Sequence, residues 1–265
     1  MIKILCLGDV VSPDGLSFLE SGGTLRKLRE ELGADLVIAN GENSADVNGI
    51  STTSAKRLYD CGVDIITGGN HTWKWQEVYG MLDDAEYMIR PANYPDEAPG
   101  IGYILTEAKG YPVLVMNVVG RVFMEPVEAP EKAIEKILSS MKGKYSVSIC
   151  DVHAEATSEK LFIGRYFDGR LSAVFGTHTH VQTADETVFP GGTGYITDVG
   201  MCGSENGIIG VKTENIIQKF TTKIPVRFEK AHGNCYINGI LFEIDESSGK
   251  CTGVKRIRRN NKQNG

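Results

Sequence analysis

The chain has 265 residues, of which 41% are hydrophobic and 23% are charged, a composition that is ordinary for a soluble globular protein. A core of this size needs no disulfides, and the six widely spaced cysteines, without a Cys-x-x-Cys motif, predict neither a disulfide framework nor a zinc finger. The formal net charge of -6 argues against a broad nucleic-acid-binding surface, although it leaves a small phosphate-bearing substrate open.

The chain begins with a short apolar run, residues 2–7, which leads directly into a turn. This run is too short for the apolar region of a signal peptide. No apolar run in the sequence approaches the roughly 18 residues of a membrane span. We therefore expect a cytoplasmic protein without a membrane partner.

Apolar runs that predict buried strands alternate with stretches of helical spacing over the first 150 residues. The predicted strands are residues 2–7, 36–39, 65–66, 113–119, 147–150, 173–175, 195–196 and 236–244. The predicted helices are residues 16–32, 52–61, 73–82, 133–141 and 213–220. This alternation favours an α/β layered fold, and the last third, with less helix, favours an antiparallel part added to a parallel one. We expect one domain over residues 1–258, followed by a polar, basic tail at residues 259–265. We also expect the end of the chain, residues 255–265, to be solvated and frayed.

Polar side chains follow five of the predicted strands at the point where each strand ends. In chain order they are Asp9, then Glu42 and Asn43, then Asn70 and His71, then His153, and finally His178 and His180. The carboxyl ends of strands line the ligand crevice of open α/β sheets, so we expect these groups to converge. Taken singly, most could be cap, turn or structural residues. His178 and His180 are different, because side chains two apart face the same way if the strand continues, and this pair indicates a metal site.

The candidate ligands offer nitrogen and oxygen donors, and they are Asp9, Glu42, Asn43, Asn70, His153, His178 and His180. Seven groups exceed the ligand number of a tetrahedral zinc ion, so they favour two ions with open positions. Iron, manganese, cobalt and zinc all accept mixed imidazole and carboxylate ligands. A carboxylate can bridge two ions, which makes Glu42 the candidate shared ligand, and two ions about 3.5–4 Å apart form a clamp for displacement at phosphorus. Asp151 is a candidate for orienting a metal ligand without binding the metal itself. His232 does not follow a predicted strand, so we expect it to be a surface turn residue.

Several segments around these residues resemble the YmdB-like bacterial metallophosphoesterases, a family of the calcineurin-like superfamily. They are GDVV at residues 8–11, ANGEN at 39–43, GNH at 69–71, DVHAEATSEK at 151–160 and GTHTHVQTAD at 176–185. Further similar segments are RPANYP at residues 90–95, GRVFM at 120–124 and YITDVGM at 195–201. The resemblance runs from about residue 2 to residue 258. The two long histidine-bearing segments are much more specific than GNH, which indicates only the superfamily.

The resemblance implies a four-layer α/β/β/α sandwich, with two mixed sheets flanked by helices and a two-metal centre usually described with iron. It implies a phosphodiesterase acting on cyclic nucleotides of the 2',3'-cyclic AMP type, by attack of a metal-bound hydroxide. The first ion would take Asp9, Glu42, Asn43 and His180, the second Glu42, Asn70, His153 and His178, and His71 would be the catalytic acid. The expected cofactors are two divalent or trivalent ions, with iron favoured and manganese, zinc or cobalt as alternatives.

The chain departs from the family's pattern in two loops beside these ligands. Ser12 stands where the family usually has a glycine, and residues 44–49 replace a loop that is usually richer in glycine. No proposed ligand is lost, so the departures bear on substrate preference more than on activity. Two other functions stay open: a broader phosphatase or ribonuclease on the same centre, and a metal-containing protein that senses nucleotides. We expect no nucleic-acid partner, and a homo-oligomer is compatible with the sequence although no motif specifies one.

Overall fold

The computed structural model describes residues 1–46 and 48–260. The strands are β1 Ile2–Leu7, β2 Asp9–Val10, β3 Leu36–Asn40, β4 Ile65–Thr67, β5 Tyr103–Ala108, β6 Tyr111–Val119, β7 Val147–His153, β8 Ala173–Thr177, β9 Thr187–Val188, β10 Gly194–Ile196, β11 Met201–Ser204, β12 Gly207–Ile208, β13 Val211–Lys212, β14 Cys235–Ile244 and β15 Cys251–Asn260. The helices are α1 Ser12–Glu20, α2 Thr24–Leu32, α3 Thr52–Cys61, α4 Tyr79–Asp84, α5 Pro130–Ser140, α6 Thr157–Tyr166 and α7 Thr213–Thr222.

Two mixed sheets form the centre of the molecule. The first has the strand order β2-β11-β14-β1-β3-β4, with β15 paired to β14, and the second has the order β5-β6-β7-β8-β10-β9. In the first sheet β1, β3 and β4 are parallel, and in the second β6, β7, β8 and β10 are parallel. The antiparallel strands of the last third, β14 and β15, extend the sheet of β1 rather than forming a separate one.

Three apolar clusters hold four layers together. Alternate residues of β1 face opposite sides: Ile4 lies with Val115 in the cluster between the two sheets, whereas Leu5 lies with Leu16 in the cluster under α1, α2 and α3. On the outer face of the second sheet, Ile134 of α5 packs in a third cluster with residues of α6. The order is therefore helix, sheet, sheet, helix, and the expected α/β/β/α sandwich is confirmed.

Two predicted helices differ from the structure because of local backbone conformation. The helix predicted over residues 16–32 is divided into α1 and α2 at Gly22 and Gly23, whose φ values of 59° and 72° are left-handed. Glycine adopts this conformation without the steric cost that a Cβ brings, so the pair interrupts the apolar period. The helix predicted over residues 73–82 is reduced to α4 and a preceding short 3-10 segment, because Trp75 is extended with φ -120° and ψ 120°.

The end of the chain is more ordered than the sequence predicted. β15 pairs with β14 as far as Asn260, so residues 255–260 form a strand rather than a frayed end. Ile257 is buried while Arg256 and Arg258 are exposed, and this single apolar residue was too weak a period-two signal to predict a strand. Arg259 and Asn260, which were assigned to the tail, are the last residues of β15, and residues 261–265 lie outside the described part. Within that part, no helix has the length and apolar character needed to cross a membrane.

Candidate metal centre

The carboxyl ends of five parallel strands from both sheets meet at one edge of the sandwich. β1, β3 and β4 approach it from one sheet and β7 and β8 from the other. The structure brings together all of the predicted site residues at this edge, namely Asp9, Glu42, Asn43, Asn70, His71, His153, His178 and His180. β7 is longer than predicted, so His153 is its last residue instead of following it.

Four donor atoms, one of which is Nε2 of the buried His153, lie close together. Glu42 Oε1 lies 3.1 Å from this nitrogen, and Asn70 Oδ1 and His178 Nδ1 each lie 3.0 Å from it. Ligand atoms held about 2.0–2.2 Å from one ion lie about 3 Å from their neighbours when the ligand angles are near 90°. The spacing of these four atoms therefore fits the ligand set of a single metal ion.

A second group of donors adjoins the first around Asp9. Its Oδ2 accepts a hydrogen bond of 3.0 Å from the backbone N–H of His178, but its buried Oδ1 has no hydrogen-bond partner within residues 1–46 and 48–260. His180 Nε2 lies 3.7 Å from that orphaned oxygen, and the Asn43 amide lies 3.5 Å from the same imidazole nitrogen. A buried carboxylate oxygen without a partner is costly unless a cation satisfies it. The residues present thus fit a second ion beside the first.

The buried carboxylates of this cluster favour a positive charge at its centre. Burial alone would raise the pKa of the Asp9 carboxyl, yet His180 and His153 lower that pKa far below its usual range. Burial is likewise outweighed at Glu42, whose pKa is lowered by the charge of His153. The two carboxylates in turn raise the pKa of His153 to about 9, against the effect of burial. Burial and the charge of His153 lower the pKa of His178 to about 4.

A carboxylate behind His153 orients its ring through a hydroxyl group. Thr177 donates a hydrogen bond of 2.7 Å to Asp151 Oδ1, so its oxygen accepts from His153 Nδ1, which lies 2.9 Å away. Thr177 thus holds the Nδ1 proton, and Nε2 faces the cluster, where it would offer its lone pair to a bound ion. Burial raises the pKa of Asp151 to about 6, although Thr67 donates to it at 2.5 Å. Asp151 thus acts on the ring through Thr177, a residue that the sequence analysis did not select.

The turn that carries His178 and His180 is strained. The strand β8 ends at Thr177, and the φ values of the two histidines are 100° and 65°, in the region that favours glycine. The strand does not continue to the histidines, and a turn brings both rings to the centre instead. The backbone N–H and the hydroxyl of Thr179 both donate to Asp198, at 3.1 and 2.8 Å, and this carboxylate holds the middle of the turn.

His71 lies beside the donor cluster rather than within it. Its backbone N–H donates to Glu42 Oε2 at 2.7 Å, and its Nε2 lies 3.4 Å from the amide nitrogen of Asn70. It lines a cavity of about 930 Å3, together with Glu42 and His178. An imidazole in this position can exchange a proton with a ligand that occupies the cavity.

Ser12 stands where the family usually has a glycine, and its backbone adopts a conformation that favours glycine. Its φ of 68° is left-handed, which glycine adopts without strain and serine adopts at a cost. Its backbone N–H donates to the carbonyl of Asn43 at 2.9 Å, so the residue stays tied to a candidate ligand despite the substitution.

Several residues at this site were not predicted from the sequence. Glu155 Oε2 lies 3.1 Å from His178 Nε2, and its position two residues after His153 was an available signal. One wall of the cavity is formed by residues 227–232, for which no periodicity or motif gave a signal. His232 is exposed, as expected of a surface turn residue, but it also lines the cavity and pairs with Asp14 at 2.6 Å.

Comparison with known proteins identifies the family. The sequence model of the YmdB-like protein family matches residues 5–257. The chain belongs to this family. A relative from Bacillus subtilis strain 168, named 2',3'-cyclic-nucleotide 2'-phosphodiesterase, is 41% identical over 256 residues, which cover 97% of this chain and 96% of the relative. The resemblance drawn from the sequence motifs is thus confirmed.

Solved structures agree with this assignment. The crystal structure of a novel phosphatase from Mycoplasma pneumoniae has a TM-score of 0.90 and 33% identity, and the match covers 98% of this chain and 93% of that one. The calcineurin-like phosphoesterase YfkN from Bacillus subtilis has a TM-score of 0.60 and 14% identity, with 99% and 91% of the two chains covered. This second likeness shows the fold alone.

Proposed function

We propose that the protein is a binuclear-metal-dependent phosphodiesterase that hydrolyses cyclic nucleotides of the 2',3'-cyclic AMP type. The observation that carries the proposal is the joined donor cluster, in which three donors surround His153 Nε2 and the buried Asp9 Oδ1 has no hydrogen-bond partner among the described residues. The choice of substrate is supported by the 41% identical relative, which is named for that activity.

The donor geometry supports a division of the ligands between two ions that share Glu42. One ion would take Asp9, Glu42, Asn43 and His180, and the other would take Glu42, Asn70, His153 and His178. Asn43 directs its amide nitrogen at Glu42 Oε1 and His180 Nε2, so binding through oxygen requires a half-turn of this amide. Iron is the first metal to test, with manganese, zinc and cobalt as alternatives that accept the same donors.

The chemistry divides between the ions and the side chains. When bound, the ions would neutralise charge on the phosphoryl oxygens and make water nucleophilic near neutral pH. His71 donates a proton, or a hydrogen bond, to the ribose oxygen that leaves. The Asn70 amide nitrogen, 3.4 Å from His71 Nε2, helps to orient this ring. Arg227 and Lys230, which line the same cavity, attract the phosphodiester anion.

The test is metal analysis of anaerobically prepared protein, followed by a hydrolysis screen. The substrates are 2',3'-cyclic AMP, a linear phosphodiester, a phosphate monoester and long RNA. We expect two ions per chain and the fastest turnover with the cyclic nucleotide. Faster cleavage of the monoester or of RNA would favour the broader phosphatase or the ribonuclease. Tight binding of the cyclic nucleotide without turnover would favour a nucleotide-sensing protein.

We also propose that residues 1–258 act as one domain. The support is that β1 lies between β14 and β3 in one sheet, so both ends of the chain build the same layer. The cytoplasmic location and the homo-oligomer stay predictions.

A further inference from the structure

One wall of the cavity beside the metal centre is formed by a segment with two cations, Arg227 and Lys230, which attract the phosphodiester anion. The other side chains of this segment have no role in the proposed reaction. This wall segment, residues 227–232, contributes Arg227, Phe228, Glu229, Lys230 and His232 to the lining of the cavity of about 930 Å3. Pockets for nucleotide-sized ligands are typically about 300–1,000 Å3, so the cavity has room for more than the phosphate group.

The wall segment is held firmly in place. The Lys230 ammonium donates to the carbonyl of Ala45 at 2.6 Å, in the loop that follows the candidate ligands Glu42 and Asn43. On its other side, the backbone N–H of Lys212 donates to the Glu229 carbonyl at 2.9 Å. The segment is thus fixed both to the loop next to the metal centre and to β13. A side chain on it keeps a defined position relative to the phosphate.

Phe228 is the unusual member of this wall. Its side chain is 52% exposed, and in residues 1–46 and 48–260 no stacked or edge-on aromatic pair includes it. Its neighbour Arg227 is also exposed and forms no ion pair with a described carboxylate. A flat apolar ring and a planar cation are the groups on which nucleobases stack, and both residues line this cavity.

We propose that Phe228, assisted by Arg227, forms a nucleobase subsite in which the base of the substrate stacks while the phosphodiester is held at the metal centre. This inference rests on the proposed function, and it adds that stacking of the base makes the enzyme prefer nucleotides to other cyclic phosphodiesters. The same five-membered cyclic phosphodiester without a base should then be a much poorer substrate. Ile209, which is 48% exposed on the same lining, offers a further apolar contact.

The test compares two substrates that share the reacting ring. Phe228→Ala should lower kcat/KM for 2',3'-cyclic AMP by about 5-fold to 150-fold, the effect that base–aromatic stacking has per base. The same variant should leave the hydrolysis of glycerol 1,2-cyclic phosphate, which lacks a base, unchanged. Phe228→Trp should retain the preference for the nucleotide. Phe220→Ala is the matched control, because Phe220 is also exposed but lies on α7 outside the cavity lining.

An equal loss on both substrates, or no loss on either, would overturn the subsite. If the unmodified protein hydrolyses neither substrate, the proposed function fails, and calorimetry with adenosine 3'-phosphate still decides the inference. The metal-loaded protein should bind this nucleotide, and Phe228→Ala should weaken binding by the same factor. Equal affinities, or no binding by the unmodified protein, would refute the subsite.

Discussion

The Lys160 ammonium lies 2.6 Å from the Asp198 carboxylate, and both side chains are fully buried behind the turn that carries two candidate metal ligands. The same carboxylate accepts two hydrogen bonds from Thr179, the residue between His178 and His180. Both histidines have positive φ values, which cost of order 1–2 kcal/mol per residue for an L-amino acid. The buried pair therefore restrains a turn that would otherwise relax away from the metal centre.

Replacing the buried lysine should destabilise both the fold and the metal centre. Lys160→Met leaves the Asp198 carboxylate buried without its counter-charge, a change that typically costs about 3–5 kcal/mol of unfolding free energy. Looser restraint of His178 and His180 should weaken metal binding by about 10–100-fold, as is usual for residues that orient ligands. Urea denaturation and a competition titration with a metal chelator measure the two effects.

The control for this prediction is Lys136→Met, because the Lys136 ammonium is exposed and its partner Asp96 is exposed as well. An exposed pair of this kind contributes about 0–1 kcal/mol, so little change is expected. A Lys160→Met protein that is destabilised but retains metals as tightly as the control would mean that the pair serves folding alone.

His71→Ala tests the assignment of the catalytic acid. The variant should lower kcat by about 10²–10⁴-fold, the usual contribution of a general acid. It should keep both ions, because the donor atoms around His153 and Asp9 do not include the His71 ring. Metal analysis beside the kinetics is the control. Loss of the ions together with activity would make His71 a ligand and refute the assignment.

Much of the centre could be predicted because its signals are local. A strand of apolar residues followed by a ligand-type side chain is visible within about ten residues, as at β1 and Asp9 or β8 and His178. Parallel strands then bring such ends together at one edge, so Asp9 and Glu42 meet although they lie 33 residues apart in sequence.

The parts that could not be predicted depend on partners that are distant in sequence. Lys160 lies within α6, where a charged residue is normally solvated, and its burial depends on Asp198, 38 residues later. Phe228 is part of the cavity wall because its neighbours pair with β13, and no period in the sequence encodes that pairing. Left-handed backbone at His178 is likewise a consequence of tertiary contacts, since histidine rarely adopts it by itself.

Glu42→Gln tests the shared ligand. Glutamine keeps the length of the side chain but removes its charge and replaces one oxygen by a nitrogen that cannot bind a metal, so occupancy should fall at both positions. The matched control is Glu229→Gln, because Glu229 lines the same cavity but pairs with Lys212 and contacts no candidate ligand in the described residues. Metal analysis of both variants decides the matter, and two full equivalents in Glu42→Gln would exclude the bridging role.

The free energy of unfolding should depend on pH through the titration of Lys230. Burial lowers the pKa of this ammonium from 10.5 to about 8, although Asp46 and Asp14 act in the opposite direction. Between these two pH values the unfolded chain binds more protons at this residue than the folded protein does. The contribution of Lys230 to unfolding free energy therefore rises with pH across that window, and it is constant below it.

Lys230→Met removes this titration and provides the comparison. Urea denaturation of both proteins, from pH 7 to about pH 10.5, gives their difference in unfolding free energy, in which the titrations of other groups cancel. The unmodified protein should gain stability relative to the variant as the pH rises above about 8. A difference that is flat, or that falls with pH, would mean that the ammonium is as well solvated in the folded protein as in the unfolded chain.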